Sequence, residues 1–279
     1  MQSQYLHLAP EKWRNLMPPS DVWQLLVKII NIKKDNSRQV INMQQDLLKQ
    51  TWSLAPFIIS VAGSVSVGKS TFAENLKEKL VENNSKEKVQ VVSADSFLMS
   101  NDELKAKNLM DEKGFPSSFN WKSLANFLSS VKSGATRVPY RVYSHEISDL
   151  SDEVRYITQP DVLIVEGINM LQQAPQGIIS PNYFIDFSFY LDADRLDLEE
   201  WYMQRFHQML DINKDNPGNF FYQWAHKPRY IADEFAHEVW KNVNLKNLDE
   251  YIAPTKERAN MILKKKFDHS FSDIYLRKF

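Results

Sequence analysis

The sequence predicts an α/β fold: a mostly parallel central sheet with helices on both faces and a helical extension ahead of it. Three observations carry this. Short apolar runs of β type alternate with stretches of helical spacing, the pattern of strands joined by crossover helices. A glycine-bounded octapeptide, Gly63-Ser64-Val65-Ser66-Val67-Gly68-Lys69-Ser70, stands between such a run and such a helix. Two further apolar runs end in acids, Asp95 and Glu166, and ligands of open parallel sheets gather beyond the C-terminal strand ends.

Residues 1–55 read as a helical extension. Val22, Leu25, Leu26, Ile29 and Ile30 recur at helical spacing behind Ser20 and Asp21 as cap residues, and Lys33 to Arg38 reads as a polar break. The core, residues 56–279, opens with the strand run Phe57 to Ala62 and a helix from Ser70 to Val81. Lys88 to Ser93 is a second short strand, and residues 100–118 read as loop. A helix is expected over Trp121–Lys132 with Asn120 as its cap. Val138 to Tyr143 and Val154 to Ile157 are strand candidates, with Pro139 suited to an edge. Asp161 to Glu166 has the pattern of a buried strand, and Phe184 to Leu191 is an aromatic one. A helical region follows over about 194–253, with Leu198, Trp201, Tyr202, Arg205, Phe206 and Met209 on one face. Met261 to Leu263 and Ile274 to Leu276 read as closing strands. With no repeat and no long linker, residues 1–279 are expected to form a single domain.

Composition narrows the function classes. Thirty-four basic residues face 35 acidic ones, for a net charge of −1, which argues against nucleic-acid binding through a large basic surface. The chain has no cysteine, so disulfides and thiol catalysis are excluded. No run approaches the roughly 18 apolar residues of a membrane span, and no signal segment opens the chain. A cytoplasmic protein is expected.

The octapeptide fits G-x-x-x-x-G-K-[ST], the phosphate-binding loop of nucleoside triphosphate enzymes. Backbone N–H groups of such a loop and the following helix N-terminus cradle phosphate oxygens. Lys69 would neutralise β- and γ-phosphate charge, and the Ser70 hydroxyl would hold Mg²⁺. Asp95 would accept a proton from an attacking hydroxyl or hold the metal through water, unless it caps a turn. Glu166 would orient Mg²⁺ or its water, unless it is a surface strand end. Arg205 would stabilise charge on the transferring phosphate, or form a structural ion pair. His145 fits a structural hydrogen bond as well as a catalytic one. The six histidines include no H-E-x-x-H pair, so any metal is expected to be Mg²⁺ carried with nucleotide. Phe220-Phe221-Tyr222 with Trp224 suits core packing or the wall of an organic substrate site. The run Lys264 to Lys266 reads as a solvated face.

Several stretches together resemble the bacterial type I pantothenate kinases: GSVSVGKST from Gly63, ADSFL from Ala94, KGFP from Lys113, YSHEISD from Tyr143, QPDVLIVEGINMLQ from Gln159, WYMQRF from Trp201 and NLDEYIAPTKERANMIL from Asn247. The resemblance covers nearly the whole chain in order. It implies a P-loop kinase fold, a homodimer, and transfer of the ATP γ-phosphate to the primary hydroxyl of pantothenate, giving 4'-phosphopantothenate. Carried over by position, Asp95 is the catalytic base, Arg205 the transition-state arginine, and Lys69, Ser70 and Glu166 serve phosphate and Mg²⁺. Gly63 to Thr71 and His269 bind nucleotide, with His269 near adenine. Tyr143, His145, Tyr202 and Asn244 bind pantothenate, and Phe206, Phe221 and Trp224 form an aromatic wall. The related kinases of uridine and sugar phosphates share the loop and the acids, but are not expected to combine the YSH and WYxxRF stretches. The chain departs from the family pattern at Glu74, where an arginine that helps bind coenzyme A phosphates is usual. It also departs at Ser96 (glycine), Ser148 (tyrosine) and Met209 (an aromatic). An acid at 74 would repel that anion, so feedback inhibition by coenzyme A is expected to be weakened.

Overall fold

A computed structural model describes residues 4–16 and 21–278. Its elements are β1 (Tyr5–Leu8), α1 (Pro10–Leu16), α2 (Val22–Leu48), β2 (Phe57–Gly63), α3 (Lys69–Asn83), β3 (Val89–Ser93), α4 (Asn101–Ala106), α5 (Trp121–Lys132), β4 (Val138–Ser144), β5 (Asp149–Ile157), β6 (Val162–Glu166), β7 (Phe187–Asp192), α6 (Arg195–Asn213), α7 (Tyr222–Ala225), α8 (Arg229–Val239), β8 (Met261–Lys265) and β9 (Phe271–Arg277). Seven strands form one sheet in the order β1-β9-β8-β7-β2-β6-β3. The strands from β8 to β3 run parallel, and β9 and β1 add an antiparallel edge.

The central strands explain themselves. Every residue of β2 and of β6 is buried, as expected of strands covered on both faces, whose sequences are then apolar throughout rather than alternating. Helix α3 packs on β2, β3 and β6, and α2 packs on α3. Leu26 and Ile30 of α2 are fully buried. Asn120 caps α5 as expected, accepting from the Ser123 N–H at 3.0 Å. The pair β4–β5 forms a separate two-stranded ribbon, where Pro139 interrupts no further ladder.

Four readings of the sequence are corrected. The first segment contains a strand: β1 pairs with β9, and Tyr5 donates its hydroxyl to the Ala259 carbonyl at 2.6 Å. Four residues carry too little periodicity to announce that pairing. Lys33 to Arg38 is not a break, because α2 runs through it from its Asp21 cap, which accepts from Trp23 N–H at 2.9 Å. The run holds no glycine or proline, and Lys34 folds inward to pair with buried Glu87. Ser20, the other expected cap, lies outside the described residues. Within the expected loop, Asn101–Ala106 forms α4, closed by a capping box between Ser100 and Glu103. The aromatic strand is shorter than expected, since Phe184 and Ile185 precede β7.

Beyond α8 the helix continues in wider π turns over Trp240–Leu245 and Leu248–Ile252. Irregular turns of this kind recur at functional sites. Here they carry Asn244 and Asn247 toward the C-terminal edge of the sheet.

Candidate active site

The sheet register brings the chemistry together. Glu166 stands opposite Val61 on one side and Ser93 on the other. The loop after β2, the turn after β3 and the end of β6 therefore share one edge. Gly63 is required there: its φ is +145°, and an added Cβ would meet the Leu191 carbonyl oxygen at 2.5 Å. Ser66 and Gly68 also have positive φ, 63° and 87°, so the loop curls into a concave run of N–H groups at the start of α3. The Ser64 and Ser66 hydroxyls are buried without a protein partner. Lys69 turns back over the loop and donates to the Ser64 carbonyl at 2.8 Å. A cradle of N–H groups, two unpaired hydroxyls and a cation fits a polyphosphate.

The Ser70 hydroxyl donates to Glu166 Oε1 at 3.0 Å. One hydroxyl and one carboxylate suit Mg²⁺, which keeps several waters and phosphate oxygens as ligands. Asp95 opens the short turn Ala94–Phe97, its N–H bonded to Ser93 Oγ at 3.3 Å. Burial pushes Lys69 below its ordinary range, against the pull of Glu166 and Asp95. Burial raises Glu166, against the neighbouring Lys69.

A cavity of about 440 Å³ extends from this floor. It is lined by Val65, Ser66, Lys69, Ser70, Asp95 and Glu166, by Tyr143 and His145 of the ribbon, by Tyr202, Arg205 and Phe206 of α6, and by Phe221 and Asn244. Burial lowers the His145 imidazole, with Arg205 acting the same way and Asp95 against. Burial raises Tyr202 to about 12, against a hydrogen bond with Asn244. Both groups are thus neutral near pH 7. A smaller space of about 190 Å³ adjoins the same floor, bounded by Glu74, Tyr140 and Arg155.

Seven expected residues do not line this cavity: Gly63, Ser64, Val67 and Gly68 within the loop, and Trp224, His269 and Thr71. Trp224 stacks at 3.8 Å between ring centroids on Phe235, and it is Phe235 that reaches the wall. His269 stacks on Trp201 at 4.3 Å, in the turn between β8 and β9. Thr71 is exposed on α3. The sequence reading also missed participants. Phe235, Lys113 and Asn247 line the cavity; Lys113 and Asn247 open two of the stretches that resemble the family, yet no local pattern assigned any of the three to the site.

Lys265 corrects the solvated-face reading. It is buried, donates to the Val67 carbonyl at 2.8 Å, and lies 5.3 Å from the Trp201 ring centroid. Lys264 pairs with Asp194 at 3.1 Å, and Lys266 is exposed. Lys264 and Lys265 are the last two residues of β8, so alternation along the strand turns them to opposite faces, and Lys266 lies beyond it.

The chain was compared with known proteins. Residues 58–207 match the family model described as Phosphoribulokinase / Uridine kinase family. A pantothenate kinase of Levilactobacillus brevis is 41% identical over 266 residues, covering 95% of this chain and 87% of that one. One from Enterococcus faecalis is 46% identical over 228 residues, covering 81% and 74%. Among solved structures, a D-glycerate 3-kinase from Cryptococcus neoformans superposes with a TM-score of 0.59 at 14% identity, covering 91% of this chain and 98% of that one. This last likeness concerns the fold alone.

Burial holds Lys265 down at about 8, so between about pH 8 and the ordinary lysine value near 10.4 the unfolded chain binds a proton that the folded chain does not. Stability from this group is therefore flat below pH 8 and rises above it. The melting-temperature difference between the parent and Lys265→Met is expected to shift in the parent's favour from pH 7.5 to 9.5. Parallel pH curves for the two proteins in a thermal-shift titration would contradict this.

Proposed function

We propose that this chain, which belongs to the phosphoribulokinase/uridine kinase family, is a pantothenate kinase that transfers the ATP γ-phosphate to the primary hydroxyl of pantothenate as the first step of coenzyme A biosynthesis. The observation that carries the reading is one cavity with a phosphate-binding floor, a carboxylate at its edge and an aromatic far wall. Similarity to pantothenate kinases along most of the chain supports the choice of alcohol.

In this reading the loop from Gly63 to Ser70 holds the β- and γ-phosphates, with the Ser64 and Ser66 hydroxyls as further donors. Ser70 and Glu166 hold Mg²⁺, which would neutralise phosphate charge. The acceptor alcohol lies between Asp95 and the γ-phosphate. Its oxygen forms the new bond to phosphorus as the bond to the ADP oxygen breaks, and its proton passes to Asp95. Arg205 and Lys69 stabilise the charge that spreads over the phosphoryl oxygens. Tyr143 and neutral His145 orient the alcohol. Tyr202, protonated and bonded to Asn244, offers neutral donors farther in. Phe206, Phe221 and Phe235 exclude water that would otherwise compete for the phosphate, with Trp224 behind them. His269, on its turn near the loop, borders the nucleotide base.

The finer assignments follow. The enzyme is a single-domain homodimer of the cytoplasm, with no nucleic-acid or membrane partner. Among the described residues no helix is long and apolar enough to cross a membrane. Helix α2 exposes Ile32 and, in its distal half, Val40, Met43 and Leu47, a stripe at helical spacing that a second copy would cover. Glu74 stands beside the phosphate floor, ion-paired with Lys77 at 2.9 Å. A carboxylate there opposes an incoming phosphate, so coenzyme A inhibits weakly.

Three tests follow from this reading. Asp95→Asn and Arg205→Ala are each expected to lower kcat by about 10²-fold or more with unchanged circular dichroism; near-normal turnover in both would sink the mechanism, and phosphorylation of uridine or a sugar phosphate in place of pantothenate would sink the substrate. Glu74→Arg should tighten inhibition by coenzyme A relative to the parent, whereas submicromolar ATP-competitive inhibition of the parent would refute the weakened-feedback reading. Met43→Glu with Leu47→Glu should convert a dimer to a monomer in sedimentation velocity, and a monomeric parent would end the dimer proposal.

A further inference from the structure

Gly114, in the segment between α4 and α5, has φ +91°, a conformation that favours glycine. Both sides of the residue are held. Its N–H donates to Ser118 Oγ at 2.9 Å, and Ser118 is fully buried. Its carbonyl accepts two side-chain amides, Asn169 Nδ2 at 3.0 Å and Asn247 Nδ2 at 3.1 Å. The two asparagines come from distant parts of the chain, one just after β6 and the other between the π turns. They are 1% and 3% exposed. Each leaves its Oδ1 buried without a protein donor, an arrangement that packing alone does not favour.

Gly114 directly follows Lys113, which lines the cavity. The Lys113 ammonium donates to the Ser148 carbonyl, and to Asn101 Oδ1 at 2.6 Å. It lies 5.4 Å from the Tyr143 ring centroid, and Tyr143 is in turn hydrogen-bonded to Ser148 Oγ at 3.2 Å. A continuous chain of contacts thus runs from two buried amides, through Gly114 and Lys113, to the ribbon turn that carries Tyr143 and His145.

We propose that Asn169 and Asn247 are positioning residues for the acceptor alcohol: their amides fix Gly114, and through Lys113 they hold the Tyr143–Ser148 turn at its distance from Asp95. The inference rests on the alcohol-kinase reading of the cavity. The nucleotide lies on the loop after β2, outside this chain of contacts, so loss of the clamp falls on the acceptor and spares ATP.

Steady-state kinetics with ATP, Mg²⁺ and pantothenate test it. Asn169→Ala and Asn247→Ala are each expected to raise the pantothenate KM about tenfold, within the range that a misplaced contact produces, while the ATP KM stays within about twofold. In a Lys113→Met background, adding Asn247→Ala should raise the pantothenate KM no further, as expected when two residues act through one path. A general loss of folded structure would move both KM values and melt the protein earlier without that non-additivity. Equal rises for ATP and pantothenate, full additivity with Lys113→Met, or an unchanged pantothenate KM would each overturn the proposal. Should the alanine variants fail to fold, Asn169→Ser and Asn247→Ser carry the same comparison. The parent enzyme runs in parallel: if it phosphorylates a different alcohol, the pantothenate reading falls, and the clamp is scored by the same criteria on the alcohol it accepts.

Discussion

Everything at this site depends on a register between strands. Glu166 at the end of β6 is level with Val61 of β2 and Ser93 of β3. A parallel ladder of buried apolar strands fixes that alignment, because a one-residue slip would turn every buried side chain to the opposite face of the sheet. Once the register is set, three separate chain segments deliver the loop with Lys69, the Glu166 carboxylate and the Asp95 turn to one edge. None of them needs a long-range contact of its own to arrive there.

The edge concentrates charge in a poorly hydrated place, and that is where both the strength and the tension of the site lie. Lys69 and Glu166 are each shifted toward neutrality by burial and held toward charge by the other. Inside a low dielectric such opposed terms are large. A bound polyphosphate would add negative charge beside Lys69, favouring its charged form. The aromatic and π-turn segments on the far side supply the complementary property, an apolar enclosure, which in the proposed reaction would keep the transferring phosphate from water. Lys265 beneath the loop belongs to the same design: its ammonium donates to the Val67 carbonyl and lies over the Trp201 ring.

Much of this was legible in the sequence, for identifiable reasons. The strands β2 and β6 are mostly apolar, with Ser60 inside one and Glu166 ending the other, and α5 has its cap in Asn120, so local pattern was enough. The phosphate loop, Asp95 and Glu166 could be placed because strand ends are where such sheets bind ligands. Helical spacing put Arg205 and Phe206 on one face of α6, the family resemblance put them at the site, and both line the cavity. The failures share a cause, which is dependence on partners distant in sequence. Strand β1 exists because β9 offers an edge. Lys34 stays helical and buried because Glu87 is there to pair with it. Phe235 displaces Trp224 from the wall because the two rings stack in one order and not the other. The Gly114 clamp joins residues 55 and 133 positions apart from it, beyond the reach of any local rule.

In the proposed reaction the acceptor hydroxyl would sit between Asp95 and the γ-phosphate, with the rest of the alcohol directed toward Tyr202 and the aromatic wall. A crystal structure with pantothenate and a non-hydrolysable ATP analogue tests it most directly. The account predicts the primary hydroxyl within hydrogen-bond reach of the Asp95 carboxylate, about 2.6–3.2 Å, and in line with the bond to the leaving phosphate oxygen. A hydroxyl turned away from Asp95, or an alcohol bound outside the cavity, would contradict it.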